Sequence, residues 1–101
     1  MAQVLLVEDD AAIRTALTRA LRDQGHGVTA VSSGMPALTA AVEQRPDVVL
    51  LDLGLPDVDG ADVLSMLRAV SDVPVIVATA RDDETEMVRL LDLGADDSIL
   101  K

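Results

Sequence analysis

The chain has no cysteine and no phenylalanine, tyrosine or tryptophan among its 101 residues. The missing thiols exclude disulfides and thiolate metal sites, a composition compatible with a reducing cytoplasm. The missing rings leave Leu, Val, Ala, Ile and Met to build the core, and abundant Ala suits close packing of helices on a sheet. Basic residues are scarce: eight Lys and Arg face eighteen Asp and Glu, for a net charge of −10. Phosphate backbones need basic surface, so this segment is not expected to bind nucleic acid directly. An acidic balance fits divalent cations or basic protein partners instead. No apolar run approaches the roughly 20 residues of a membrane span. Met1-Ala2-Gln3-Val4 lacks the basic start of a signal peptide.

Half of the residues are apolar, enough for the core of one domain spanning 1–101. The central feature is Val48-Val49-Leu50-Leu51 running directly into Asp52. A continuous apolar run with turn signals on both sides reads as a strand buried on both faces. Gly54, Pro56 and Gly60 argue for a loop after it.

Val4–Val7 is a second such strand, and it ends in Glu8, Asp9 and Asp10. A helix follows, capped by Asp9 or Asp10, with Ile13, Ala16, Leu17, Ala20 and Leu21 on its apolar face. Arg14, Thr15, Thr18, Arg19 and Arg22 fall on the opposite face. Gly25-His26-Gly27 ends that helix, and His26 reads as a surface turn residue. Val28–Val31 forms a strand. Ser33 or Gly34 then caps a helix with Pro36 in its first turn and Leu38, Ala41 and Val42 inward.

Beyond the loop, Asp59 or Gly60 opens a third helix with Val63, Leu64 and Leu67 inward, closed at Ser71–Pro74. Val75–Ala78 is the fourth buried strand, ending in Thr79. Asp82 and Asp83 cap a fourth helix, with Met87 or Val88, Leu90 and Leu91 toward the sheet and Gly94 at its end. Ser98–Leu100 is a short fifth strand before Lys101. The four Met residues read as fillers of irregular gaps.

Strand and helix alternate with short connections, which predicts right-handed crossovers and an α/β fold with helices on both faces of a parallel sheet. The expected strand order is 2-1-3-4-5, flavodoxin-like, with its switch point between the first and third strands. Glu8, Asp9, Asp52, Thr79 and Lys101 then converge at the carboxyl ends. Oxygen ligands from crowded carboxylates suit a hard cation such as Mg²⁺. A carboxylate is also a nucleophile toward phosphorus. Such a transfer needs positive charge and hydroxyl donors around the phosphoryl oxygens, which Lys101 and Thr79 would supply.

These pieces resemble the receiver domain of two-component response regulators. The matching stretches are Val4-Leu5-Leu6-Val7-Glu8-Asp9-Asp10, Leu50-Leu51-Asp52 through Gly60, Val75 through Ala80, and Gly94 through Lys101. The resemblance implies a CheY-like three-layer sandwich. It implies Asp52 as phosphoacceptor, Asp9 as a direct Mg²⁺ ligand and Glu8 as one acting mostly through water. The backbone carbonyl of Gly54 would complete the metal's protein ligands, and Thr79 and Lys101 would contact the phosphoryl group. A sensor histidine kinase would be the donor, in the cytoplasm, and the domain a switch rather than a metabolic enzyme. Residues 81–97 look most like the OmpR/PhoB branch, which implies a DNA-binding transcriptional output and dimerisation through the fourth helix, fifth strand and fifth helix. Arg89, Asp96 and Asp97 would supply its ion pairs.

A stand-alone receiver acting by protein contact is the alternative within the class. An aspartyl-phosphate phosphatase would want an acid two residues after the nucleophile, where Gly54 stands. A flavodoxin-like cofactor carrier would want a phosphate-cradling loop after the first strand, where acids stand instead.

Three departures from the family pattern stand out. Ser98 occupies the place of the usual aromatic, too small to report movement of Thr79 by packing. Leu90 replaces a small residue of the fourth helix, which bears on dimer geometry. The family's fifth helix, which follows a cis proline, is missing after Lys101. Its loss is expected to bare apolar surface from Val75, Val77, Ile99 and Ala20 or its neighbours. At roughly 25 cal/mol per Å², a few hundred Å² of such surface is comparable to a domain's whole stability. The 101-residue chain is therefore predicted to be marginally stable, to self-associate through the bare face, or to be part of a longer chain. Light scattering that finds a monomer with a cooperative, high melting transition would refute this.

Overall fold

The computed structural model describes residues 1–52, 55–79, 88 and 91–100, with Thr79 and residues 97–100 described by backbone alone. Strands β1 (Gln3–Val7), β2 (Gly27–Val31), β3 (Val48–Asp52), β4 (Val75–Thr79) and β5 (Asp97–Leu100) form one parallel sheet. Their order is β2-β1-β3-β4-β5, as the alternation of elements predicts. Helices α1 (Ala11–Asp23), α2 (Gly34–Gln44) and α3 (Gly60–Val70) are the helical elements bounded within the described residues.

The two faces of the sheet are packed unequally. Leu5, Val7, Val49, Leu51, Val75 and Val77 join Ala37, Ala40 and Ala41 of α2 and Val63, Leu64 and Leu67 of α3 in one buried cluster. Small residues on α2 let its backbone come close to the sheet. Its inward stripe is centred on Ala37, Ala40 and Ala41, with Leu38 half-buried beside it. Val42, expected inward, is instead 55% exposed.

On the other face α1 buries no residue completely. Its apolar stripe points the expected way, but Ile13 and Leu17 each remain 39% exposed. They border an apolar groove of about 300 Å³ with Leu6, Leu50, Ile76 and Ala78. Leu6, Leu50 and Ile76 are successive register partners across β1, β3 and β4. Val75 and Val77, expected to be bare, are fully buried. Strand side chains alternate between faces, so the odd-numbered valines of β4 go to the α2–α3 side and the even-numbered positions to the groove.

The expected fourth helix falls mostly outside the described residues, including Asp82, Asp83, Met87 and Leu90. Leu91, expected inward, is exposed, as is Val88, the alternative to Met87, whereas Leu93 packs against the core and Ala95 is buried. Gly94 has a φ of +115°, a conformation that side chains resist, which explains glycine there.

A clamp fixes the amino ends of β4 and β5. Arg68 donates Nε to the Gly94 carbonyl (2.7 Å), Nη1 to the Ser71 carbonyl (3.2 Å) and Nη2 to Asp96 Oδ2 (3.0 Å). Asp96 Oδ2 also accepts from the Val75 amide at 2.8 Å. Asp96, expected to serve ion pairs between subunits, is thus engaged within its own chain. His26 does more than sit in a turn: its Nδ1 accepts from the Ala2 amide at 3.0 Å.

The asymmetry sets an expected ranking of mutants. Leu64→Ala, at a fully buried position, should cost about 2–5 kcal/mol by transfer and cavity terms. Leu17→Ala in the open groove should cost less than about 1 kcal/mol. Urea unfolding curves with equal slopes would measure both.

Candidate functional site

The carboxyl ends of β1 and β3 lie side by side because these strands pair directly, with Val7 opposite Leu51. The chain leaves β1 toward β2 on one side, and β3 leads away on the other. This is the topological switch point where open α/β sheets place ligands.

Glu8 follows β1, and its amide donates to the Val31 carbonyl of β2 at 3.0 Å, so the strand pairing carries into the acid run. Asp9 comes next and is exposed. Asp10 is the helix cap: its Oδ1 accepts from the amides of Ala12 (2.9 Å) and Ile13 (3.0 Å). The three consecutive acids therefore divide their tasks, with Asp10 spent on α1 and Glu8 and Asp9 left to the crevice. Asp52 is the last residue of β3, buried, and in register with Ala78 of β4.

Glu8, Asp9 and Asp52 each bring a carboxylate oxygen within 4.8 Å of the others. Glu8 is 2% exposed and Asp52 6%, so two of the three acids sit beneath the surface. Buried carboxylates at such spacing repel unless countered by positive charge or donors. The donor set is all hard oxygen, which suits a divalent cation of the Mg²⁺ or Ca²⁺ kind and offers nothing to soft metals.

Arg14 supports this loop from α1. Its Nη1 donates to the Glu8 carbonyl at 2.9 Å and to the Asp9 carbonyl at 3.3 Å. Helical spacing alone puts Arg14 on a solvated face. The guanidinium instead reaches back along α1 to the backbone that presents both acids.

Thr79 ends β4, one residue beyond the partner of Asp52, with its side chain outside the described atoms. Gly54 and Lys101 lie outside the described residues. Ser98 lies in β5 opposite Val77, again with its side chain outside the described atoms. Glu8, Asp9 and Asp52 are thus the predicted residues that the structure brings together.

The loop after Asp52 is anchored by two more acids. Asp59 caps α3 by accepting from the Ala61 amide at 2.9 Å. Asp57 reaches across to α2, its Oδ1 accepting from the Gly34 amide (2.7 Å) and its Oδ2 from the Met35 amide (3.0 Å). Ser33 occupies the N-cap position of α2 but makes no side-chain capping bond. The expected local cap is therefore replaced by one from a distant loop. The amide of Gly34, then that of Met35, holds the Asp57 carboxyl below its ordinary value. Sequence spacing carries no sign of this bond, because the partners lie 23 residues apart.

A family model for the response regulator receiver domain matches residues 4–101. The transcriptional regulatory protein KdpE of Mycobacterium tuberculosis is 48% identical over 101 residues, covering 100% of this chain and 45% of that protein. The DNA-binding response regulator MtrA of the same organism is 46% identical over 99 residues, covering 98% of this chain and 43% of that protein. The chain thus spans about half the length of these curated relatives. Among solved structures, the BeF3-activated N-terminal receiver domain of RstA from Klebsiella pneumoniae superposes with a TM-score of 0.94 at 31% identity. That match covers 98% of this chain and 85% of the other. The receiver domain of Francisella response regulator 1452 gives 0.95 at 28% identity, over 100% of this chain and 84% of that one.

The Asp57 cap has a pH signature. A carboxyl held below its ordinary value of 3.8 contributes stability that is fully present above that pH and is lost as pH falls through the folded-state value. Asp57→Ala should therefore lower Tm at neutral pH, and the gap from the parent should narrow as the pH drops below 3.8. Thermal melts monitored by circular dichroism across pH 7 to 2 would check this.

Proposed function

The chain belongs to the response regulator receiver family, and from that premise we propose that Asp52 is its phosphoacceptor and that Glu8, Asp9 and Asp52 hold Mg²⁺. The observation that carries this reading is the gathering of three carboxylate oxygens within 4.8 Å at the β1–β3 switch point. Receivers act as signalling switches, and of the relatives at 46–48% identity one is named a DNA-binding response regulator and the other a transcriptional regulatory protein. The proposed output of the whole protein is control of transcription through a DNA-binding partner domain. The proposed phosphoryl donor is a sensor histidine kinase.

A carboxylate oxygen of Asp52 attacks phosphorus. A P–O bond to Asp52 forms as the P–N bond of the donor phosphohistidine breaks, and the imidazole leaves with the bonding pair. Bound Mg²⁺ supplies charge to offset the phosphoryl oxygens and the crowded acids. Asp52 brings the nucleophile, and its place at a strand end limits its motion. Glu8 is buried beside it and Asp9 is exposed; Asp9 is the proposed direct ligand of the ion and Glu8 the proposed support acting mostly through water. Arg14 holds the backbone of both acids. Thr79 ends β4 next to this site, and its hydroxyl is the proposed donor to one phosphoryl oxygen. Lys101 is the proposed counter-charge to another, and the Gly54 carbonyl the proposed remaining protein ligand to the ion. Attack of water on the phosphorus later breaks the P–O bond and restores the carboxylate, which makes autodephosphorylation part of the same reading.

The test is incubation with acetyl phosphate and Mg²⁺, read by intact mass. The expected result is a gain of one phosphoryl group, lost in Asp52→Ala and abolished by chelation with EDTA. Folded protein that gains nothing, or a gain retained in Asp52→Ala, would refute the assignment.

A further inference from the structure

Resting on the reading of Asp52 as phosphoacceptor, we propose that Asp57 is a positioning residue for that site. By capping α2 from the stretch that leads into α3, it ties residues 55–59 to α2 and so supports metal binding and phosphoryl transfer at Asp52.

Asp57 commits both carboxylate oxygens, one to each of two consecutive amides. A two-point bond fixes orientation as well as distance. The loop it belongs to is exposed at Pro56, Asp57 and Asp59, and exposed connections are mobile unless tied. Of the described polar side chains in this loop, Asp59 serves α3, the helix the loop leads into. Asp57 alone reaches back to α2. Leu55 and Val58 on either side pack partly against the core, so the tether acts on a segment already held at its apolar points.

The receiving end is built for close approach. A Cβ added to Gly34 would lie 2.7 Å from Val63 Cγ2, 3.3 Å from Val58 Cβ and 3.4 Å from Asp57 Oδ1. Gly34 is buried, so α2, α3 and the loop meet where only glycine fits. Ser33, chemically able to cap α2, makes no such bond. If capping α2 were the sole purpose, the local serine would serve. The distant acid adds a link between α2 and the chain leaving Asp52. Sites of this kind lose activity when a distant change misplaces a reacting group by about 1 Å.

The experiment measures Mn²⁺ affinity by electron paramagnetic resonance, with Mn²⁺ standing in for Mg²⁺ as a hard divalent ion. It also measures the Mg²⁺ dependence of acetyl phosphate labelling by intact mass. Asp57→Ala should weaken Mn²⁺ binding roughly tenfold or more and raise the half-saturating Mg²⁺ in parallel. Gly34→Ala should do likewise by forcing α2 and the loop apart. Asp57→Asn, which keeps one acceptor oxygen but sets an N–H donor against the second amide, should recover only part of the loss. Ala40→Gly, inside α2 and far along it from the cap, supplies a comparable loss of Tm and should leave metal affinity within about twofold.

Parent-like Mn²⁺ affinity and Mg²⁺ dependence in folded Asp57→Ala would overturn the proposal. So would an Ala40→Gly defect as large as that of Asp57→Ala, because helix stability alone would then explain both. A parent protein that neither binds Mn²⁺ nor accepts a phosphoryl group would sink the phosphoacceptor reading itself, and the proposal with it. That failure is distinguishable because it shows in the parent before any variant is made.

Discussion

Burying charge at the end of an apolar strand is the constraint on which the rest of this structure depends. Glu8 and Asp52 sit beneath the surface, at the ends of strands made almost wholly of Val and Leu. Desolvating a carboxylate is costly, and the cost is met only where donors, cations or both are close at hand. The parallel pairing of β1 with β3 brings the two acids together, and the register makes that meeting unavoidable. Around them the chain spends much of its local chemistry on backbone. Arg14 holds the carbonyls of the acid run, Asp10 starts α1, and Asp59 and Asp57 secure the two helices that flank the following loop.

The architecture was legible because it rests on local signals. Four-residue apolar runs bounded by turns predicted the strands, and their alternation with helical periodicity predicted the strand order. The acids at the strand ends were legible for the same reason: a parallel sheet sends all its carboxyl ends to one edge. The assignment of faces was harder to read. A strand buried on both sides shows no alternation in sequence, so nothing in Val75-Ile76-Val77-Ala78 says which residues meet α2 and α3 and which meet α1. The valines proved to be core, and Ile76 and Ala78 line the groove. Arg14 and Asp57 were missed because their value lies in backbone groups several or many residues away. A helical wheel places Arg14 in water, and a loop acid between Pro56 and Gly60 looks like ordinary turn chemistry.

The relation to known regulators narrows the chemistry without exhausting it. Curated relatives share nearly half of their residues with this chain, over somewhat under half of their own length. The shared part is the receiver domain itself, matched over residues 4–101. The Arg68–Asp96 clamp adds a point about surfaces. An acid on the β4–β5 flank is already bonded to its own chain, so any use of it between subunits would begin by competing with that bond.

Among the described residues, α1 is packed more openly than α2 and α3. The helix buries no residue completely, while α2 and α3 lie on a dense core of fully enclosed side chains. Amide exchange should therefore run faster in α1 than in α3, since opening α1 exposes little that is not already wet. The acid run Glu8–Asp10 is hinged to that looser helix, and Asp52 to the tighter half.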